Sequence, residues 1–201
     1  MKAKKWMALA LSAVMAVGML TGCGGGGTGS AGRSSLNTSS VNSLIKEADS
    51  KVRVTSDAEL NAAMDETIAL MEQGGMGKNG ESLHSYLIGV RNYKSGSNRK
   101  GASFVLTESE LEAGISADWI ASVVNTQTNY SVSTTQAGAI APIDTAEKVA
   151  AVAVLSVSEQ LDPIVEQIGG KCTYNVSGKT LKTKDETVYW LISIEIVVDK
   201  I

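Results

Sequence analysis

The sequence is poor in the residues from which catalytic and metal sites are most often built. Among 201 residues it has one histidine, His84, and two cysteines, Cys23 and Cys172. One histidine excludes a two-histidine metal site, and a Ser-His-Asp triad would have to use His84. Two cysteines permit at most one disulfide. We therefore predict no metal and no cofactor.

Positive charge and aromatic side chains are also scarce. The chain has 18 Lys and Arg against 21 Asp and Glu, and aromatic residues make up 4% of it. An acidic balance argues against nucleic acid as a partner and against electrostatic capture by an anionic membrane. With few aromatic residues available, the core is expected to consist mainly of Val, Ile, Leu and Ala.

The N-terminal segment has the three-part layout of a secretory signal. Three lysines within residues 2–5 precede an uncharged, mostly apolar run over residues 6–20, and small residues follow it. The run is shorter than the ~20 apolar residues that a membrane-spanning helix needs. We therefore predict that this segment directs export and is then removed.

Leu20-Thr21-Gly22-Cys23 at the end of this run resembles the bacterial lipobox. The resemblance implies cleavage between Gly22 and Cys23 and a diacylglycerol thioether on the Cys23 sulfur. The partner of this protein would then be a membrane, reached through the N-terminal lipid. Cys172 would be left without a disulfide partner.

Composition divides the chain into three parts. Residues 1–22 are the predicted signal peptide, 23–40 the lipidated cysteine with a flexible Gly/Ser tether, and 41–201 a single globular domain. Removing 1–22 takes away three lysines and no acid, which leaves 15 basic and 21 acidic residues, a net charge of −6. Gly24, Gly26 and Gly29 match G-x-G-x-x-G, but no strand precedes them, so a dinucleotide site is not expected.

Hydrophobic periodicity predicts helices and strands that alternate along residues 41–201. Helices are expected from Val41, after the Ser56-Asp57-Ala58-Glu59 and Thr107-Glu108-Ser109-Glu110 capping boxes, and after Asp144, with a new turn at Pro163. Residues 84–93 and 102–106 alternate as strands do, around a turn at 94–101. The cations of residues 91–100 suggest either a phosphate site or a solvated hairpin end, and the second interpretation is the simpler one.

Two alternating apolar strands close the chain, around Cys172 to Val176 and Val188 to Val198. The last strand is apolar on both faces and should be central, with helices covering both of its sides. Glu195 within it is the exception, and either faces solvent or pairs with a base such as Lys182. The predicted fold is therefore α+β, a three-layer α-β-α sandwich around a mainly antiparallel sheet with a terminal β-hairpin.

Few residues remain as candidates for chemistry. His84 lies in a predicted polar loop with Glu81 and Ser85, where it is either a surface histidine or part of a weak catalytic group. Cys172 alternates with apolar residues, which favours a buried structural thiol over a nucleophile.

Several short motifs resemble the CAP superfamily of cysteine-rich secretory, antigen-five and pathogenesis-related proteins. They are Leu60-Asn61-Ala62-Ala63, Glu81-Ser82-Leu83-His84-Ser85, Gly138-Ala139-Ile140-Ala141, Thr145-Ala146-Glu147-Lys148-Val149 and Tyr189-Trp190. The resemblance implies a three-layer α-β-α sandwich and a domain of CAP-like type. Ala139 stands where that family has a glutamate, and its second histidine has no counterpart, so the family's metal cleft is not expected.

These observations predict a lipid-anchored, non-enzymatic binding domain on the outer face of a bacterial cell membrane. Its ligand would be a surface, cell-wall, lipid or protein component. The alternative from another functional class is a cell-wall or peptide hydrolase that uses His84 with Ser85 or Glu81.

Overall fold

The structure is a computed structural model that describes residues 33–48, 50–73, 80–93 and 96–200. The predicted signal peptide, the cleavage site and Cys23 lie outside the described residues. One compact unit extends from Arg33 to the C-terminus, eight residues before the predicted start of the domain. Residues 34–36 contribute to this, because Leu36 N–H donates to Gly178 O at 2.8 Å and Thr180 N–H donates to Ser34 O at 3.0 Å.

Six α-helices, one 3₁₀ helix and four strands make up the described chain. In order they are α1 (Thr38–Glu47), β1 (Val54–Thr55), α2 (Ala58–Glu72), α3 (Gly80–Val90), β2 (Arg99–Thr107), α4 (Glu108–Ala113), α5 (Ala117–Thr128), the 3₁₀ helix (Ala137–Ile140), α6 (Ala146–Gln167), β3 (Gly170–Lys182) and β4 (Val188–Lys200).

The four strands form one sheet in the order β1-β3-β4-β2. The long β3 and β4 make the antiparallel terminal hairpin, and β2 pairs antiparallel with β4 from Arg99↔Val197 to Thr107↔Tyr189. The short β1 runs parallel to β3. Consequently β2 is an edge strand, and no strand in the described part of the chain pairs with its second side.

Helices cover both faces of this sheet, which confirms the predicted α+β sandwich around a mainly antiparallel sheet. On the first face α1, α5 and α6 pack over the even-numbered side chains of β4, such as Ile192 and Ile194. On the second face α2 and α3 pack over odd-numbered side chains, among them Leu191. The central position of β4 explains why it is apolar on both faces.

Helix α3 replaces the strand that we predicted for residues 84–93. Leu83 and Leu87 are one helical turn apart and have no exposed surface, and Arg91 follows at the same spacing. The alternating residues that suggested a strand are the outward ones: Ile88 is 36% exposed and Val90 is 48% exposed. The helical stripe was hidden because two of its buried members are a histidine and an arginine.

Helix α6 also differs from the prediction, because it continues through Pro163 to Gln167. Proline inside a helix removes one backbone hydrogen bond and normally bends or ends the helix. Here the last turn is held by Val165, which is buried against the start of β3, where a Cβ on Gly170 would meet it at 2.8 Å. Tertiary packing thus prevails over local preference. Among the described helices, none is both long and apolar enough to cross a membrane.

Candidate functional site: a groove at the free edge of β2

A groove of about 520 Å³ runs along the free edge of β2, between α3 and α5. We call it the edge groove. Its lining residues are His84 and Ser85 from α3, Ser103, Phe104 and Val105 from β2, and Trp119, Ser122, Val123, Thr126 and Gln127 from α5. Its volume is in the range that small-ligand pockets usually have. Apart from the titratable His84, none of these side chains carries charge.

His84 forms part of the wall on the α3 side and is 9% exposed. Its ring stacks on Tyr93, with centroids 6.3 Å apart and planes 25° from parallel. Burial lowers the pKa of His84 below its usual 6.5, so the ring is neutral at pH 7. The Nδ1 atom is buried and has no hydrogen-bond partner in the described structure. A buried polar atom without a partner is uncommon and marks a position that a ligand or water could satisfy.

Tyr93, which supports His84, is itself fixed from two sides. Its hydroxyl donates to Glu195 Oε2 at 3.1 Å, and both burial and this carboxylate raise its pKa. Its ring lies against β2 at Gly101, where a Cβ would come within 2.5 Å of it. A glycine is required at this point because any side chain would displace the tyrosine ring.

Glu195 is the centre of a buried charged cluster and pairs with a base, as one of our two alternatives predicted. It has no exposed surface, so it does not face solvent, and its base is not Lys182, which pairs with Glu186. Instead Arg91 binds it with two hydrogen bonds, Nε to Oε2 at 2.9 Å and Nη2 to Oε1 at 3.0 Å. Asn175 Nδ2 donates to Oε1 at 3.0 Å. These bonds compensate the cost of burying the carboxylate.

The prediction that Arg91 belongs to a solvated hairpin end is therefore wrong. Its side chain is 4% exposed, and it also binds Glu59 at 2.6 Å and Asp57, the N-cap of α2, at 2.9 Å. The bonds to Glu195 and Glu59 raise the Arg91 pKa despite its burial. Because Arg91 joins the end of α3 to the start of α2 and to β4, the cluster fixes α3 over the sheet and thereby positions His84.

The three residues that we considered as catalytic candidates are only partly brought together. Ser85 lines the edge groove beside His84, but adjacent residues on a helix point about 100° apart. The described hydrogen bonds include none between the two, and no described carboxylate contacts His84 Nδ1. The side chain of Glu81 lies outside the described structure. The described side chains therefore do not form the hydrogen-bonded series of nucleophile, base and orienting acid that such catalysis needs.

On the α5 side, the edge groove offers an aromatic surface that the sequence did not single out. Trp119 is 43% exposed and packs against Phe104, with ring centroids 5.9 Å apart. In the sequence Trp119 belongs to an apolar helical stripe and looks like an ordinary core residue. Only the position of β2 at the sheet edge reveals that its ring borders a groove.

Gln127 closes one position of the free edge. Ser103 N–H donates to Gln127 Oε1 at 2.7 Å, and Gln127 Nε2 donates back to Ser103 O at 3.3 Å. A side-chain amide thereby occupies the two backbone groups that a further strand would use. No sequence signal pointed to this role, since glutamine is unremarkable on a helix surface.

A second cavity of about 470 Å³ contains Cys172, with Asp162, Tyr174 and cations including Lys51 and Arg53. Cys172, for which we predicted a buried structural thiol, is half-buried. Burial and the hydrogen bond with Asp162 raise its pKa to about 12, so the thiol is protonated and a poor nucleophile at neutral pH. Asp162 also accepts a hydrogen bond from the Tyr174 hydroxyl at 2.6 Å. Asp162 therefore contacts both the Cys172 thiol and the Tyr174 hydroxyl.

The described residues include no group of three or more His, Cys, Asp and Glu side chains arranged to hold a metal ion. The class that the fold and groove define is an α-β-α domain with an uncharged groove at one sheet edge. Comparison of the chain with protein-family models, with curated proteins and with solved structures found no match.

Proposed function

We propose that the protein is a lipid-anchored extracytoplasmic binding domain that takes its ligand in the edge groove. The anchor is proposed from the lipobox at Leu20-Cys23, with the membrane as the partner and the outer face of the bacterial cell membrane as the location. A CAP-like origin is part of the same proposal and is supported by the motifs around His84 and Tyr189. Nucleic acid is not a proposed partner, because the mature chain is acidic.

The observation that carries the binding role is the edge groove itself. It joins an exposed aromatic ring, Trp119, to a buried polar atom without a partner, His84 Nδ1. Apolar surface with a few orienting polar groups is the usual composition of a ligand site. A catalytic role would in addition need an oriented base and a nucleophile, and the described contacts supply neither.

The test uses Trp119 as the reporter of occupancy. The full-length protein in detergent would be titrated with peptide, glycan and lipid fractions of bacterial envelope, while intrinsic tryptophan fluorescence is recorded. We expect one fraction to change the tryptophan emission, to which Trp119 and Trp190 both contribute. Ser122→Arg should weaken that response at least tenfold by placing a bulky charge beside Trp119, among uncharged described side chains. Ile164→Arg adds the same charge at an exposed position of α6 outside the groove and should leave the response unchanged.

A response that is equal in both variants would overturn the proposed groove. His84→Ala separates binding from hydrolysis. A binding domain should lose less than about tenfold in affinity. An enzyme should lose several orders of magnitude in the rate at which it hydrolyses the envelope fraction that gave the response. Turnover that depends on His84 would replace the binding proposal with the hydrolase.

A further inference from the structure

The backbone of β2 has one position that faces the edge groove without a partner. In an antiparallel sheet, alternate residues direct both N–H and C=O toward the same neighbouring strand. Ser103 directs both groups away from β4, because it binds Gln127, so Val105 two residues further on does the same. Thr107 N–H is taken by Glu110 Oε2 at 2.7 Å. The hydrogen bonds of the described residues include none to the outward N–H and C=O of Val105.

The contact of Gln127 with Ser103 shows what kind of group fits this edge. Its carboxamide accepts from the N–H and donates to the C=O of one residue, which is the exchange that a residue of a paired antiparallel strand makes. A peptide group placed beside Val105 would make the same two bonds one pleat along the strand. The edge therefore accepts peptide geometry, and Gln127 already imitates it.

The two walls of the groove differ in chemistry, and the described side chains of both are uncharged at neutral pH. Side chains of an added strand would alternate between them. On the first face of the sheet they would meet Trp119 and Phe104, and on the second they would meet the neutral His84. Because no charged side chain among the described residues lines the groove, a charged segment would lose solvation there without a counter-ion, and a neutral segment is the complementary one.

We propose that the edge groove binds an uncharged, extended peptide segment that adds to β2 as a fifth strand at Val105. Apolar side chains of the segment contact Trp119, and an intervening hydroxyl or amide side chain faces His84. This inference rests on the proposed binding function and specifies its ligand class. Peptide addition to a free sheet edge is an established mode of recognition, in which backbone bonds supply affinity and alternate pockets supply specificity.

The test uses the end-blocked peptide acetyl-Thr-Leu-Ser-Leu-Thr-amide and the full-length protein in detergent, with isothermal titration calorimetry. Val105→Pro removes the outward N–H, which an edge strand tolerates, and should weaken binding about three- to tenfold. Val105→Ala shortens the same side chain but keeps the N–H, so the difference in affinity between the two variants measures the contribution of the N–H. Gln127→Ala frees the two groups of Ser103 and should tighten binding severalfold. Circular dichroism checks that each variant is folded.

The peptide itself offers a second readout that does not depend on protein variants. Peptides N-methylated at one position at a time should lose affinity at every second position, because only alternate N–H groups of a strand point at its neighbour. Replacing both leucines with glutamate should abolish binding. An even loss along the N-methyl series, or equal binding by Val105→Pro and Val105→Ala, would overturn strand addition.

Failure of this inference is distinguishable from failure of the proposed function. If Ser122→Arg abolishes the response to an envelope fraction while the peptide does not bind, the groove remains a ligand site and the strand-addition proposal is wrong. Binding of a chitin oligosaccharide in the groove, unaffected by Val105→Pro, would also overturn it in favour of a glycan. If Ser122→Arg changes neither response, both proposals fail.

Discussion

At the scale of single residues, His84 has an environment that is uncommon for a histidine. It is buried and neutral, it stacks on Tyr93, and one of its ring nitrogens has no partner. Burial favours the uncharged form, so the folded protein resists protonation at a position that the unfolded chain protonates readily. The free energy of unfolding must therefore depend on pH in the range where this side chain titrates.

Because His84 is the only histidine, that dependence can be isolated. Its pKa in the folded protein lies below the unfolded value of 6.5, so the unfolded chain binds more protons in between, and stability falls as pH drops below about 6.5. We expect the free energy of unfolding to decrease from about pH 7.5 to 5.5, with a slope of at most about 1.4 kcal/mol per pH unit. Urea denaturation at several pH values measures it.

His84→Gln is the control for this prediction, because a glutamine has no titration in the range. Its unfolding free energy should change less between about pH 7.5 and 5.5 than that of the wild type, while carboxylates affect both proteins alike at the acidic end. Parallel pH profiles for the two proteins would show that burial of His84 does not disfavour its protonation.

The same residue shows where prediction from the sequence stops. A lone histidine among polar residues predicts a loop. Its burial in the structure depends instead on Tyr93 and, through Tyr93, on Glu195, which lies more than 100 positions away in the chain. Glu195 is anomalous within an apolar strand, yet the sequence does not identify its bases, which are Arg91 and also Arg99, whose Nη1 lies 3.6 Å from Glu195 Oε2. Local patterns carry no information about which distant charge will meet a buried one.

At the scale of elements, the predictions succeeded where one stripe was uniformly apolar and capped. The helix after Thr107 begins where its capping box predicted, and Thr107 and Glu110 make both reciprocal bonds. The terminal strands were found because apolar residues alternate on both faces of β4. Helix α3 was missed because buried His84 and Arg91 break its apolar stripe. The edge groove was missed because the order of strands in a sheet cannot be predicted from the sequence of any single strand.

The helix cap at Thr107 lies at one end of the free edge of β2, and its contribution to the free energy of unfolding can be measured. The side chain of Thr107 accepts from Glu110 N at 3.2 Å, so Thr107→Ala should lower the free energy of unfolding by about 0.5–2 kcal/mol. Ser116 caps the next helix, α5, without any side-chain hydrogen bond, and Ser116→Ala should change stability by less than about 0.5 kcal/mol. Chemical denaturation of both variants gives the comparison.

Equal losses in the two variants would contradict the assignment of the cap. The pair is informative because each substitution removes a hydroxyl at the residue preceding a helix. Thr107→Ala also removes a methyl group, but only Thr107 loses a side-chain hydrogen bond to its helix. The result also bears on β2, since the Thr107 N–H that ends its free edge is bonded by the same Glu110.

At the scale of the whole molecule, the fold presents an open groove at the edge of β2. The predicted leader and the residues 23–32 that follow it precede the compact unit that begins at Arg33. If Cys23 carries a diacylglycerol, the domain is held at a membrane surface by the lipid alone, because its net negative charge provides no attraction to anionic headgroups. Exposure of the edge groove to envelope peptides would then follow from the anchor.

Cys23→Ser tests this arrangement directly, because serine keeps the size of the side chain and removes the thiol that the lipid requires. After expression in a bacterium, we expect the wild-type protein in the membrane fraction and the variant in the soluble or released fraction, or retained with its leader uncleaved. Cys172→Ser is the matched control, since its thiol lies in the domain, and should leave the protein in the membrane fraction.

Mass spectrometry of the wild type should find Cys23 as the N-terminal residue, with a mass increase of one diacylglycerol or more. A wild-type protein that retains Met1, or whose Cys23 is unmodified, would contradict the anchor while leaving the edge groove and its peptide test unaffected.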